Sequence, residues 1–173
     1  MQEEIVAIVG GSGFVGKTIA HTLAQAGYRI NIVSRNPERA LSVKTAASPG
    51  KVHLTATNIH DENALHRALR HSDIVINSVG ILYETRKQHF GEIHAQGAER
   101  IAQVAKEIGA KRLIHISALS IDKAPDSYYA RSKVTGEDAV MNAFPEATIL
   151  RPGVVFGVDD KFFNMFARLA CIF

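Results

Sequence analysis

Six short apolar runs recur along the chain, and the stretches between them change to the spacing of amphipathic helices. Ile5–Val9, Arg29–Val33, Val52–Ala56, Ile74–Gly80, Arg112–Ser117 and Ala147–Arg151 are continuous and rich in β-branched residues, as strands buried on both faces must be. Between the first two, Thr18 to Ala26 places Ile19, Ala20, Leu23 and Ala26 on one stripe, and Gly27 stops it. Pro37 suits the first turn of a short helix through Thr45. Asp61 caps a helix carrying Ala64, Leu65, Ala68 and Leu69. A long helix is expected from Phe90 to Ile108, ended by Gly109, and another after Ser127 through Gly136, Ala139 and Val140. Strands that alternate with helices pair in parallel through right-handed crossovers. The pattern therefore predicts an α/β fold, a doubly wound sheet with helices on both faces and strand order 3-2-1-4-5-6.

The turn after the first strand, Gly10-Gly11-Ser12-Gly13-Phe14-Val15-Gly16, gives this sheet a chemistry. Gly10 lets the chain turn sharply, Gly13 admits a pyrophosphate close to the backbone, and Gly16 lets the helix sit against the sheet. The following helix N-terminus offers unpaired N–H groups and a positive dipole end to an anion. Strand, glycine turn, helix and strand form a Rossmann-type βαβ unit that predicts a dinucleotide cofactor; a turn with no ligand is the alternative.

The G-x-x-G-x-x-G spacing resembles the extended or atypical short-chain dehydrogenase/reductase superfamily, the proteins similar to NAD-dependent epimerases and dehydratases. A free ribose 2′-OH is met about 20 residues beyond such glycines by Asp or Glu. Here Val33-Ser34-Arg35-Asn36 stands in that place, with no carboxylate before Glu38. Ser34 and Arg35 suit a 2′-phosphate, so NADP(H) is expected over NAD(H), with a solvated loop arginine as the rival reading. The resemblance further implies that Asn58 and Ile59 contact the adenine, and that Val79 and Gly80 pass beside the nicotinamide ribose. Residues 81–89 are polar and irregular, a loop over the site.

Tyr129 and Lys133 stand four apart on the helix after Ser127, hence on one face. This is the Tyr-x-x-x-Lys pair of the superfamily. Both groups titrate at about 10 in water, and an ammonium beside a phenol favours phenolate, which predicts a lowered tyrosine pKa. The resemblance assigns Tyr129 as proton donor, Lys133 as its tuner and ribose clamp, and Ser117 as partner of the substrate oxygen, with Ser120 in reserve. Tyr128, five residues from the lysine, is the poorer match. Two departures bear on turnover: Ala118 and Leu119 occupy the places where extended members often carry the hydroxyl, and His94 stands where asparagine is usual.

Composition narrows the class. The chain has 173 residues, 46% of them hydrophobic, enough for one domain with a real core. Net charge is +3, with Lys and Arg scattered, which gives no case for nucleic acid. The single Cys171 cannot form an internal disulfide. His66/His71 and His89/His94 are each five apart, without Cys or clustered carboxylates, so surface or loop histidine is expected and metal is not. No signal segment or transmembrane run is present, and the expected location is cytoplasmic, with docking at the periphery of the inner membrane as the variant.

Across almost the whole chain the segments GGSGFVG, NSVG, HAQGAERIA, HISALS, YYARSKVTGE and FPEATILRPGVVFG resemble the nucleotide-binding accessory subunit of respiratory complex I and its bacterial relatives. The resemblance places Pro152-Gly153 near the nicotinamide carboxamide. It implies a dinucleotide-binding domain over residues 1–157 and, from 158 to 173, the start of a truncated substrate-side segment. An apolar cleft with Phe162, Phe163 and Phe166 poorly covered is then expected, a terminal membrane anchor being the other reading. Two functions follow: an oxidoreductase acting on an unknown small carbonyl or sugar-like substrate, or a non-catalytic nucleotide-binding subunit or NADP(H) sensor.

Overall fold

The computed structural model describes residues 3–157, 159 and 160. Six strands form, β1 (Ile5–Val9), β2 (Arg29–Ser34), β3 (Val52–Ala56), β4 (Ile74–Asn77), β5 (Arg112–Ile116) and β6 (Thr148–Leu150). All neighbours pair in parallel in the order β3-β2-β1-β4-β5-β6, the doubly wound order expected. The order reverses between β1 and β4. There the crossovers leave on opposite sides and open a crevice at the carboxyl ends of the strands.

The alternation along β1 decides what each face buries. Val6 and Ile8 join Ala20, Ala24, Ile30, Ile32 and Val43 under α1 (Phe14–Gln25) and α2 (Leu41–Lys44). Ala7 and Val9 join Leu65, Leu69, Ile101, Val104 and Leu113 under α3 (Glu62–Leu69), α4 (Gly97–Glu107) and α5 (Tyr128–Ala143). Each fully buried Ile or Leu contributes about 1.5–3 kcal/mol, so two such layers fix the register of every central strand. Asp61 and Ser127 cap α3 and α5, accepting from Ala64 N (2.8 Å) and Ala130 N (3.3 Å).

Several boundaries differ from the sequence pattern by a residue or more, and three of the differences bear on the crevice. α1 begins at Phe14 rather than Thr18, directly after Gly13, because its first turn faces the crevice and carries no core stripe. β4 stops at Asn77, whose Oδ1 accepts from Val79 N (3.0 Å) and turns the chain before Gly80. The long helix from Phe90 opens with a π-helical turn, Gly91–Gln96, before α4. The wider turn shifts the helical phase, so that adjacent Ile93 and His94 are both buried. The division expected at 157/158 falls at the edge of the described residues, and Phe162, Phe163 and Phe166 lie outside them.

Candidate functional site

The phosphate-type turn has the geometry its glycines imply. Gly10 takes φ +82°, its N–H donates to Val33 O (2.8 Å), and Gly13 N donates to Gly10 O (2.9 Å). A Cβ on Gly16 would lie 2.5 Å from both Gly10 O and Ser78 Oγ, so only glycine lets α1 seat here. Gly13 is exposed at the crevice, and Phe14 and Val15 are half-buried at its edge. Ser12 Oγ donates to Ser34 Oγ at 2.8 Å, joining the turn to the end of β2, and exposed Arg35 follows.

Asn58 and Ile59 separate. Asn58 is exposed and its Oδ1 accepts from His60 N (3.2 Å), while Ile59 is buried in the core, its Cδ1 filling the space beside Gly97. Val79 packs on the same core. Gly80 is exposed, and a Cβ there would lie 3.7 Å from His94 Nε2 and 3.9 Å from Lys133 Nζ.

Tyr129 occupies the first turn of α5, half-buried, with its ring edge-on to Phe90 (5.7 Å) and to His94 (5.4 Å). One turn on, Lys133 is 4% exposed and its Nζ donates to Ile116 O at the end of β5 (3.0 Å). Burial depresses Lys133 to about 8, with the Glu137 carboxylate pulling the other way. Burial pushes the Tyr129 phenol up, against the expected lowering. The phenol sits among the Phe90 and His94 rings, where its desolvation outweighs any help from the ammonium one turn away.

Two histidines correct the expectation of surface or loop positions: His94 and His115 are each 1% exposed. His94 Nε2 accepts from Ile81 N (3.0 Å), which places its proton on Nδ1, facing Ser132 Oγ (2.9 Å). Ser132 Oγ in turn donates to Tyr129 O (2.7 Å). Burial, with the charges of Lys133 and His115 adding to it, depresses His94 to about 3, so the ring is neutral. The backbone closes on α5 here as well: a Cβ on Gly136 would lie 2.0 Å from His94 O.

His115 Nδ1 faces Asn77 Nδ2 (3.0 Å), and since Asn77 Oδ1 is taken by Val79 N the amide donates, leaving the imidazole proton on Nε2. Burial and the Lys133 charge depress this ring to about 4. His115 Nε2 and Ser117 Oγ are buried without a partner in hydrogen-bond geometry among the described residues. The Ser117 hydroxyl nonetheless lies close enough to Glu137 to stabilise its carboxylate. Burial alone would raise Glu137; the Arg151 guanidinium (Nε to Oε1 2.9 Å, to Oε2 3.1 Å) and Ser117 together hold it below the usual range. Glu137 follows Lys133 by four, so helical spacing could have flagged it. His94 was flagged only by standing where asparagine is usual, and His115 carried no local signal.

Leu119 N donates to Pro152 O (2.8 Å), and Gly153 lies beside Leu119, whose side chain is 61% exposed. Ser120 holds φ +60° on the exposed turn that follows. An open cavity of ≈ 330 Å³ lined by Val15, Ile116, Leu150, Arg151, Pro152 and Val155 lies between this segment and the start of α1. Its walls are apolar apart from Arg151, and Val154 and Phe156 are exposed on the adjoining segment. No group of His, Cys, Asp and Glu among the described residues could hold a metal ion.

Known proteins resemble this chain in sequence and in fold. In Mus musculus, subunit 9 of the 1 alpha subcomplex of mitochondrial NADH dehydrogenase (ubiquinone) is 32% identical over 165 residues, 95% of this chain and 44% of the relative. The ceramide reductase of Caulobacter vibrioides is 32% identical over 157 residues, 90% of this chain and 48% of the relative. The chain thus spans less than half the length of these curated relatives. Among solved structures, Pen from Bacillus thuringiensis superposes with TM-score 0.82 at 18% identity, over 98% of this chain and 58% of that one. WbmG of Bordetella bronchiseptica, solved with NAD, gives 0.77 at 20% identity, over 98% and 60%; at such identities the likeness is one of fold. A family model spans residues 6–170, and the chain belongs to the NAD dependent epimerase/dehydratase family.

Proposed function

We propose that this chain binds NADP(H) along the carboxyl ends of its strands and supplies an acid–base pair for hydride chemistry on a carbonyl or sugar-like substrate. The observation that carries the reading is the placement of buried Lys133 beside Gly80, with Tyr129 one turn away. The cradle suits a dinucleotide, since exposed Gly13 presents backbone without a side chain at the crevice and the apolar cavity of Val15, Ile116 and Pro152 suits a nicotinamide ring. Gly10, Ser12, Gly13, Phe14, Val15 and Gly16 would hold the pyrophosphate, and Ser34 and Arg35 the 2′-phosphate. Asn58 and Ile59 would border the adenine, Val79, Gly80 and Lys133 the ribose, and Pro152 and Gly153 the carboxamide. When bound, the nicotinamide supplies or accepts the hydride. Tyr129, kept protonated by burial, would present a proton to the substrate oxygen, and the Ser117 hydroxyl, which also faces the Glu137 carboxylate, would hold that oxygen. Walls that exclude water come in part from the loop 81–89 and the segment 120–126.

A second reading rests on Ala118 and Leu119 where a hydroxyl is usual and on His94 where asparagine is usual. Here the chain is a nucleotide-binding accessory subunit or NADP(H) sensor, as the complex I names of its relatives suggest, at the periphery of the inner membrane. Among the described residues no helix is long and apolar enough to cross a membrane.

Titration with NADPH and NADH, followed by a carbonyl-substrate screen, separates these readings. NADPH is expected to bind more tightly, and Arg35→Ala to cost about tenfold for NADPH alone, the worth of a charge-assisted contact. Tyr129→Phe is expected to remove about 10²–10⁴-fold of turnover with cofactor affinity retained. Equal binding of both cofactors overturns the 2′-phosphate assignment. Turnover that survives Tyr129→Phe overturns the acid–base assignment. Copurification with complex I and no turnover selects the second reading.

A further inference from the structure

Arg35 is exposed at the end of β2, where a long cation ordinarily samples many rotamers. It is held here from across the crevice. With the Gln88 amide oriented oxygen-first, as its surroundings require, Gln88 Oε1 accepts from both Nη1 and Nη2 of Arg35 at 3.0 Å. Gln88 is the half-buried member of an otherwise exposed run from Leu82 to His89. Its backbone is fixed independently of its side chain. Thr85 N donates to Gln88 O (3.0 Å), Gln88 N donates to Thr85 O (3.3 Å), and Lys87 N donates to Thr85 Oγ1 (3.3 Å). The loop ends are tied too, Ile81 N to His94 and Phe90 N to Glu84 Oε1 (2.7 Å).

A guanidinium has five donors in a rigid fork. Gln88 uses one hydrogen from each terminal nitrogen, the end-on pair. The side-on edge, Nε–H with the neighbouring Nη–H, stays available for a bidentate anion. On the Ser34 side, the Ser12 hydroxyl fixes Ser34 Oγ in the same way.

We propose that Gln88 is a positioning residue for Arg35 and thereby a determinant of the choice of NADP(H) over NAD(H). It aims the side-on edge of the guanidinium at the 2′-phosphate, so that Arg35 loses less conformational freedom on binding. The proposal rests on the NADP(H) reading above. It gives the loop 81–89 a role in recognising the adenosine end of the cofactor as well as in walling the substrate.

The test compares 2′,5′-ADP with 5′-ADP, and NADPH with NADH, on wild type, Gln88→Ala and Arg35→Ala by calorimetry. The backbone bonds of the Thr85–Gln88 turn do not depend on the amide, and unchanged trypsin cleavage at Arg86 and Lys87 verifies that the loop keeps its fold. Gln88→Ala is expected to weaken 2′,5′-ADP and NADPH about three- to fivefold and leave 5′-ADP and NADH unchanged, the scale of one lost hydrogen bond. If Arg35→Ala removes the preference while Gln88→Ala leaves it intact, the positioning role is overturned and the NADP(H) reading survives. If Gln88→Ala strengthens NADPH, the amide competes with the phosphate and the proposal is likewise overturned. If wild type shows no preference at all, the NADP(H) reading itself fails.

Discussion

The proposed nucleotide end of the crevice is built mainly from one continuous stretch, Gly10 to Arg35, in which backbone shape does most of the work and Arg35 is exposed. The acid–base end gathers side chains from β4, the π-helical turn, β5 and α5, and hides nearly all of them: Asn77, His94, His115, Ser117, Lys133 and Glu137 are each 5% exposed or less. The contrast follows from what each end handles. A diphosphate is recognised by N–H groups that the chain already carries, and it needs only glycines that keep Cβ atoms away. A proton donor of fixed pKa needs a low-dielectric shell whose polar atoms are satisfied among themselves. The first end therefore tolerates water, while the second depends on packing.

The largest expected difference between the ends is in their tolerance of added volume. At Gly136 a Cβ would meet His94 O, a backbone atom in a packed turn, at 2.0 Å. Gly136→Ala is expected to cost about 3 kcal/mol or more and to lower Tm by roughly 6–12 °C. At exposed Gly13 the nearest atom to a Cβ is Gly10 O, at 3.3 Å. Gly13→Ala should therefore leave Tm nearly unchanged and reduce cofactor affinity instead. Equal Tm losses for the two variants would erase the distinction.

Acid provides the next separation. His94 and His115 titrate near 6.5 when unfolded and near 3 and 4 when folded. Unfolding thus takes up protons between about pH 4 and 6.5, and stability falls as pH drops through that window. Two rings acting together give about two protons, roughly 2.7 kcal/mol per pH unit near pH 5. His94→Gln, which keeps a polar side chain beside Ile81 and Ser132, is expected to reduce the slope by about one proton in denaturant titrations at several pH values. An unchanged slope would mean that the folded ring takes up a proton freely.

The same contrast explains what the sequence could convey. Strand order follows from the alternation of strand and helix along the chain, while the glycine turn, the Ser127 cap and the Tyr129/Lys133 spacing are encoded within a turn or two, and each stands in the structure as its pattern implies. The neutral tautomer of His94 depends on an N–H at Ile81 and a hydroxyl at Ser132, thirteen residues before it and thirty-eight after it. No periodicity connects those three. The raised phenol of Tyr129 was likewise hidden, because spacing on a helix says that Lys133 is near and not that the Phe90 and His94 rings desolvate the phenol. Even at the legible end, Ile59 turned into the core beside Gly97 while Asn58 stayed outside, a division set by α4 rather than by the loop itself.

The smallest expected effect probes whether the nucleotide end has any side-chain preorganisation of its own. Ser12 Oγ donates to Ser34 Oγ at 2.8 Å in a half-buried position, a neutral hydrogen bond worth about 0.5–1.5 kcal/mol at most. Ser12→Ala should lower Tm by no more than about 6 °C, since one neutral hydrogen bond is lost and no packed group moves. It should lower the ratio of NADPH to NADH affinity by about two- to threefold, because Ser34 can then rotate away from the 2′-phosphate. Taking the ratio removes any contact Ser12 makes with the pyrophosphate, which both cofactors share. Ser34→Ala should produce a drop of similar size, and the double variant should be no worse than the single ones, the mark of two hydroxyls acting through one contact. Additive losses would mean that each serine meets the cofactor separately. In that case the bond between them only bridges the turn and β2, and both hydroxyls would share with Arg35 the distinction between the two dinucleotides.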